Sequence, residues 1–208
     1  MGPNVSLDKT AHNGAASAWL GGYNNASDAL YQTVSIPANA ASATLTYAWL
    51  MRSQETDHPW DYFYARLRTS SGVVITGLQT LNDGSLANTW AWATFDLTAY
   101  QGQTVQVYFL ATTDRSYHTS FYLDDVALNV CSAQPPTPGS QTPTPKPQTP
   151  TATPTALPVL TPTVTPTPSP ITNLPSPAAT PTPTPVCTAL LSNGDLEAGV
   201  TGWTKSAG

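Results

Sequence analysis

The chain has 208 residues, a formal net charge of −5 and only 9% charged residues. Its seven basic residues are scattered without a cluster, which excludes a nucleic-acid partner and electrostatic attachment to an anionic membrane. No run of about eighteen apolar residues occurs, which excludes membrane insertion through a helix.

Through the first 132 residues, apolar and polar side chains alternate at period two, the mark of half-buried strands. Short strands are expected near Val5–Leu7, Ala18–Leu20 and Ala29–Ile36. In ATLTYAWLM, Leu45, Tyr47, Trp49 and Met51 share one face. In DYFYARLRT, Phe63, Ala65 and Leu67 face one way, with Tyr62, Tyr64, Arg66 and Arg68 opposite. A Ser70-Ser71-Gly72 turn leads into VVITGLQTL as a hairpin, and Asn82-Asp83-Gly84 marks another turn. Trp90–Leu97 forms a further strand, although Trp90 and Trp92 disagree in face with Phe95 and fit either core or surface. TVQVYFLAT puts Val105, Val107, Phe109 and Ala111 on one face. In FYLDDVALNV the parity switches at Asp124-Asp125, which predicts a β-bulge or a ligand site. No segment shows helical periodicity over three turns. The expected fold is all-β: a two-sheet antiparallel jelly-roll sandwich.

Residues 133–186 read as a disordered Pro/Thr-rich linker, and Pro135–Pro185 holds eighteen of the 21 prolines. Such a segment favours polyproline II, on the order of 150 Å long if straight, and its Thr and Ser content resembles O-glycosylated stalks. The tail, 187–208, is too short to bury a core alone. MGPNVSLDKT lacks the basic start and apolar stretch of a signal peptide. The expectation is that Met1 lies inside a longer exported chain, truncated also at its C-terminus.

Catalysis has little support. His12, His58 and His118 fall in different loops, and no GxSxG or HExxH signature occurs. Asp57 and Asp61, flanking HPW, form the one conceivable acid pair near aromatics. Sugar binding is the sharper expectation, because exposed aromatic rings stack on pyranose faces. Trp60, Tyr62, Tyr64, Tyr117, Arg66 and Gln54 are the candidate ligand-binding residues around the HPW loop. Aromatics also fill sandwich cores and cross-strand pairs, so that alternative stands beside it.

NGDLEAGVTGW at Asn193–Trp203 resembles the opening of bacterial carbohydrate-binding-module-like jelly rolls. SFYLDDVAL at Ser120–Leu128 resembles their last strand, and also that of MAM-like and immune-inhibitor-A-type peptidase accessory domains. WATFDLTAYQGQTVQVYFLATTD at Trp92–Asp114 resembles the family's DLSAYAGQTV segment. On this resemblance, 1–132 is a sandwich lacking its opening strand. Residues 187–208 supply that strand for the next repeat of a tandem array and are predicted to complete the first domain, with Leu190–Leu196 pairing beside Cys131.

The resemblance further implies a Cys131–Cys187 disulfide stapling the domain ends, free thiols being the alternative. It also implies structural calcium (Ca2+) joining Glu197 to Asp124 or Asp125, with Asp195 and backbone carbonyls. The expected function is a non-catalytic, secreted or cell-surface binding or adhesion module for a polysaccharide or surface glycan. The alternative is a structural repeat of a surface array, or an accessory domain of a secreted peptidase. Strand exchange with a second copy is a further expectation, because a missing strand leaves an open edge.

Overall fold

The computed structural model describes residues 5–85, 88–132 and 185–208. The Pro/Thr-rich segment, with the rod and glycosylation expected of it, lies outside the described residues. Before it come β1 (Ser6–Asp8), β2 (Ser17–Gly21), β3 (Ser27–Ser35), β4 (Ala40–Ser53), β5 (Tyr62–Thr69), β6 (Val74–Asn82), β7 (Ala91–Asp96), β8 (Thr104–Thr112) and β9 (Thr119–Ser132). After it come β10 (Val186–Ala189) and β11 (Thr204–Ala207). One 3-10 turn, Thr98–Tyr100, is the only helical piece among the described residues.

The strands form two antiparallel sheets, ordered β1-β2-β9-β4-β7, with β10 also on β9, and β11-β3-β8-β5-β6. Within them, β2-β9-β4-β7 and β3-β8-β5-β6 give the jelly-roll order of two interleaved Greek keys. Period-two patterning decides which face turns inward. Leu45, Tyr47, Trp49 and Met51 of β4, Phe63, Ala65 and Leu67 of β5, and Val105, Val107, Phe109 and Ala111 of β8 are all buried in one core.

The parity switch in β9 is a bulge. Thr46 of β4 pairs Ala127 and Ala48 pairs Asp124, so that one residue of β4 opposes two of β9. Asp125 takes a positive φ of 49° there. Phe121 and Leu123 before the bulge, and Val126, Leu128 and Val130 after it, therefore all reach the core.

Along its other edge, β9 is covered by two separate pieces of chain. β2 pairs Ser120–Leu123, and β10 pairs Asn129–Ser132. Cys131 and Cys187 face each other in that register and are joined by a disulfide. Beyond β10 the structure departs from the expected Leu190–Leu196 strand. The tail is extended at Val186–Ala189 and again at Thr204–Ala207, and 190–203 between them is a run of turns. Asn193 and Leu196 sit at φ 48° and 57°, which ends strand geometry. The Asn193 side chain holds the turns together, donating to the Gly199 and Thr201 carbonyls and accepting from Ala198 N. Leu191, Leu196 and Trp203 enter the core from these turns. β11 then pairs with β3 in the second sheet.

Gly194 lies against the bulge, its carbonyl accepting from Val126 N at 2.8 Å. A Cβ there would stand 1.8 Å from Val126 O. Gly194→Ala is expected to push the tail off β9 and cost about 1–3 kcal/mol, the usual penalty of overpacking. A lowered urea midpoint would register it.

Candidate functional site

Three loops meet at one end of the sandwich: the β4–β5 loop, the β8–β9 loop and the turn after β6. Aspartates tie them. Asp61 Oδ1 accepts from Asp114 N at 2.8 Å, and the Asp61 carbonyl accepts from Asp83 N at 3.0 Å. Asp83 Oδ1 accepts from Trp60 N at 3.1 Å, while His58 Nδ1 lies 3.1 Å from its other oxygen. Asp114 closes a turn on itself by accepting from Ser116 N at 2.8 Å. The next residue, Tyr117, has φ 43°, a conformation costly for a bulky side chain.

This framework leaves Trp60 56% and Tyr117 61% exposed. Both line a cleft of about 390 Å³ together with Glu55, Asp57, Asp114 and Arg115. Asp61 is fully buried. A carboxylate oxygen from each of Glu55, Asp61 and Asp114 lies within 4.8 Å of the others. Burial pushes the Asp61 carboxyl above its usual range, and Asp114 and Asp83 add to the effect against the hydrogen bond from Asp114 N and the nearby Thr119 hydroxyl. Glu55 is raised by burial as well, then by Asp61, Asp114 and Asp83.

The six expected ligand residues divide. Trp60 and Tyr117 flank the cleft. Tyr62 and Tyr64 stack on each other at 5.8 Å, and the Arg66 guanidinium lies 4.2 Å above Tyr64. Tyr64 also packs on the small outer cluster of Ala29, Tyr108 and Leu110, so this ladder belongs to the sheet face. Gln54 is exposed, and its backbone N donates to the His118 carbonyl. Asp57 is exposed at the rim and stands outside the acid cluster. The pairing of Asp57 with Asp61 thus gives way to Glu55 and Asp114, whose convergence depends on loops far apart in sequence.

The other acids lie at the bulge. Asp124 is fully buried; its Oδ2 accepts from His12 N at 2.8 Å and its Oδ1 from Asp125 N at 2.7 Å. Asp125 Oδ2 is 2.7 Å from His12 Nδ1. Glu197 Oε1 accepts from Ala15 N at 2.7 Å and Ala16 N at 3.1 Å. One short loop, 12–16, thus joins the tail acid to the bulge acids. Burial pushes Asp124 up, with no Lys or Arg paired to it among the described residues. Asp124, Asp125 and Glu197 do not bring an oxygen each within 4.8 Å of one another, unlike the three acids near Trp60. Beside the bulge acids opens a cleft of about 730 Å³ lined by His12, Trp92, Asp125, Asn193 and Asp195. Trp92 is 55% exposed, with His12 edge-on at 4.9 Å, which places this ring at the surface. Nothing in local periodicity distinguished His12 or Trp92.

No protein-family model matches the chain, and no curated protein does. Solved structures to which it is similar include TmCBM61 in complex with β-1,4-galactotriose, at 13% identity and TM-score 0.42, covering 60% of this chain and 86% of that one. A second is a family 16 carbohydrate-binding module, at 18% and 0.39, covering 60% and 84%. A third is the K3 cleaved adhesin domain of Lys-gingipain from Porphyromonas gingivalis w83, at 18% and 0.39, covering 57% and 76%. At these values none of the three assigns a function to this chain.

Proposed function

We propose that this chain is a non-catalytic extracellular module that binds glycan at the cleft between Trp60 and Tyr117. The observation that supports it is the presentation of two large aromatic rings, each more than half exposed, across one polar cleft. Rings supply the stacking surface for a pyranose, and Glu55, Asp57, Asp114 and Arg115 supply hydroxyl partners. The Tyr62–Tyr64–Arg66 ladder continues from the cleft along β5, with the Tyr62 hydroxyl 3.5 Å from the Pro59 carbonyl. The Cys131–Cys187 disulfide accords with an oxidising compartment.

The test is a glycan array followed by titration calorimetry on the hit. Trp60→Ala is expected to weaken binding at least tenfold, about 1.4 kcal/mol. Trp92→Ala, in the other cleft, should leave it unchanged. Absence of any hit would sink the proposal in favour of a structural repeat or a peptidase accessory domain. Exchange of tails with a second copy would use the same edges of β9 and β3, and light scattering at rising concentration would reveal it.

Calcium at the bulge belongs to the same proposal. Asp124 and Glu197 would hold it, with Asp125 beside them, and the ion would cross-link the tail to β9. Asp124→Asn should reduce the calcium-dependent stabilisation seen in thermal melts.

A further inference from the structure

The acids beneath Trp60 are a different cluster from those at the bulge, and they present a problem that hydrogen bonds do not solve. Asp61 is fully buried and its Oδ2 accepts no hydrogen bond, although the Thr119 hydroxyl lies close enough to favour the charged form. Glu55 Oε1 is likewise buried and without a donor. Buried acceptors left without donors are rare in folded proteins, and a bound ion is one of the few arrangements that satisfies them. Among the described residues no Lys or Arg pairs with Glu55, Asp61 or Asp114. Arg115 lines the same cleft without forming an ion pair there.

The spacing fits one cation. Oxygens bound to a single calcium at about 2.3–2.6 Å stand no farther apart than about twice that distance. Each of the three carboxylates offers an oxygen within 4.8 Å of the other two. Glu55 and Asp114 also line the cleft between Trp60 and Tyr117, whereas Asp61 lies beneath it. An ion held by all three would keep its outward coordination positions open to that cleft.

We propose that Glu55, Asp61 and Asp114 form a divalent-cation site, calcium by its donor set, through which vicinal hydroxyls of the bound glycan are held. The cation part stands by itself; the sugar contact rests on the glycan-binding function proposed above. Calcium takes six to eight oxygens, so three carboxylates leave room for two hydroxyls and water. The rings then stack while the ion fixes orientation.

The experiment uses the full chain carrying Asp124→Asn, which removes the bulge acid from the measurement. Terbium is titrated as the calcium analogue, with emission excited through Trp60, and calcium alone is titrated by calorimetry. Saturable terbium emission that calcium displaces, and that Asp61→Asn and Glu55→Gln each reduce at least tenfold in affinity, is the expected result. Glu55 is partly exposed, so Glu55→Gln keeps the test valid should Asp61→Asn fold poorly. No saturable binding, or binding indifferent to both substitutions, overturns the site. With a glycan hit in hand, EGTA is expected to weaken its binding at least tenfold. Glycan binding that ignores EGTA while the cation is bound overturns the sugar contact. Cation binding without any glycan hit refutes the glycan-binding function and leaves the ion site standing.

Discussion

Trp203→Ala is expected to lower the unfolding free energy by about 3–5 kcal/mol, the cost of emptying a large aromatic from a core. Trp203 is the last bulky residue of the tail and is buried in the main core, its ring centroid 6.2 Å from that of Phe109. Its Nε1 donates to the Asn193 carbonyl at 3.0 Å, which locks the turns of the tail over the ring. The substitution therefore opens a cavity and also loosens the segment that carries Leu191 and Leu196. Trp92→Ala is the control, because that ring is mostly exposed and surface changes usually stay within about 0.5 kcal/mol. Urea unfolding of both variants decides the matter. Equal, small losses would mean that the tail does not share the core of β1–β9.

Cys131→Ser combined with Cys187→Ser is expected to cost about 4 kcal/mol, from the loop-closure entropy restored to the unfolded chain. The bond joins residues 56 apart in sequence, so the unfolded state gains much freedom when it is cut. In the folded state the sulfurs sit where β9 and β10 already pair, so native geometry should survive. The double substitution should lower the denaturant midpoint, with reduction of the wild-type protein matching it. Adding Trp203→Ala should give less than the sum, because both changes release the same tail and neighbouring effects are not additive. Full additivity would show that the disulfide and Trp203 act on separate parts of the fold.

Local chemistry made the strands legible. Period-two alternation needs no partner to be visible, and it placed the inward faces of β4, β5 and β8 correctly, residue by residue. The parity break at Asp124-Asp125 was equally visible, since a bulge must reverse the pattern on either side of itself. The Leu190–Leu196 strand failed for a complementary reason. An apolar residue every few positions fits a turn that dips repeatedly into a core as well as it fits a strand, and only φ values distinguish the two.

The candidate site was half legible. Trp60 and Tyr117 stood out because an aromatic in a polar loop has no local neighbour to bury it. Tyr62 and Tyr64 carried the same signal yet stack on one another and on the sheet face. Glu55 and Asp114 gave no sign, being single acids in loops separated by four strands. The side chain of His12 gained meaning only when its loop reached Asp125 and Trp92.

By itself, then, the sequence determined an all-β architecture, the core faces of its strands and the place of the bulge, because each follows from residues a few positions apart. Only the tertiary structure decided which acids converge, which rings stay exposed and how the tail closes over β9 and β3. Those outcomes depend on where distant loops meet, and the distance between two carboxylates in space is set by sheet order, which no local pattern encodes.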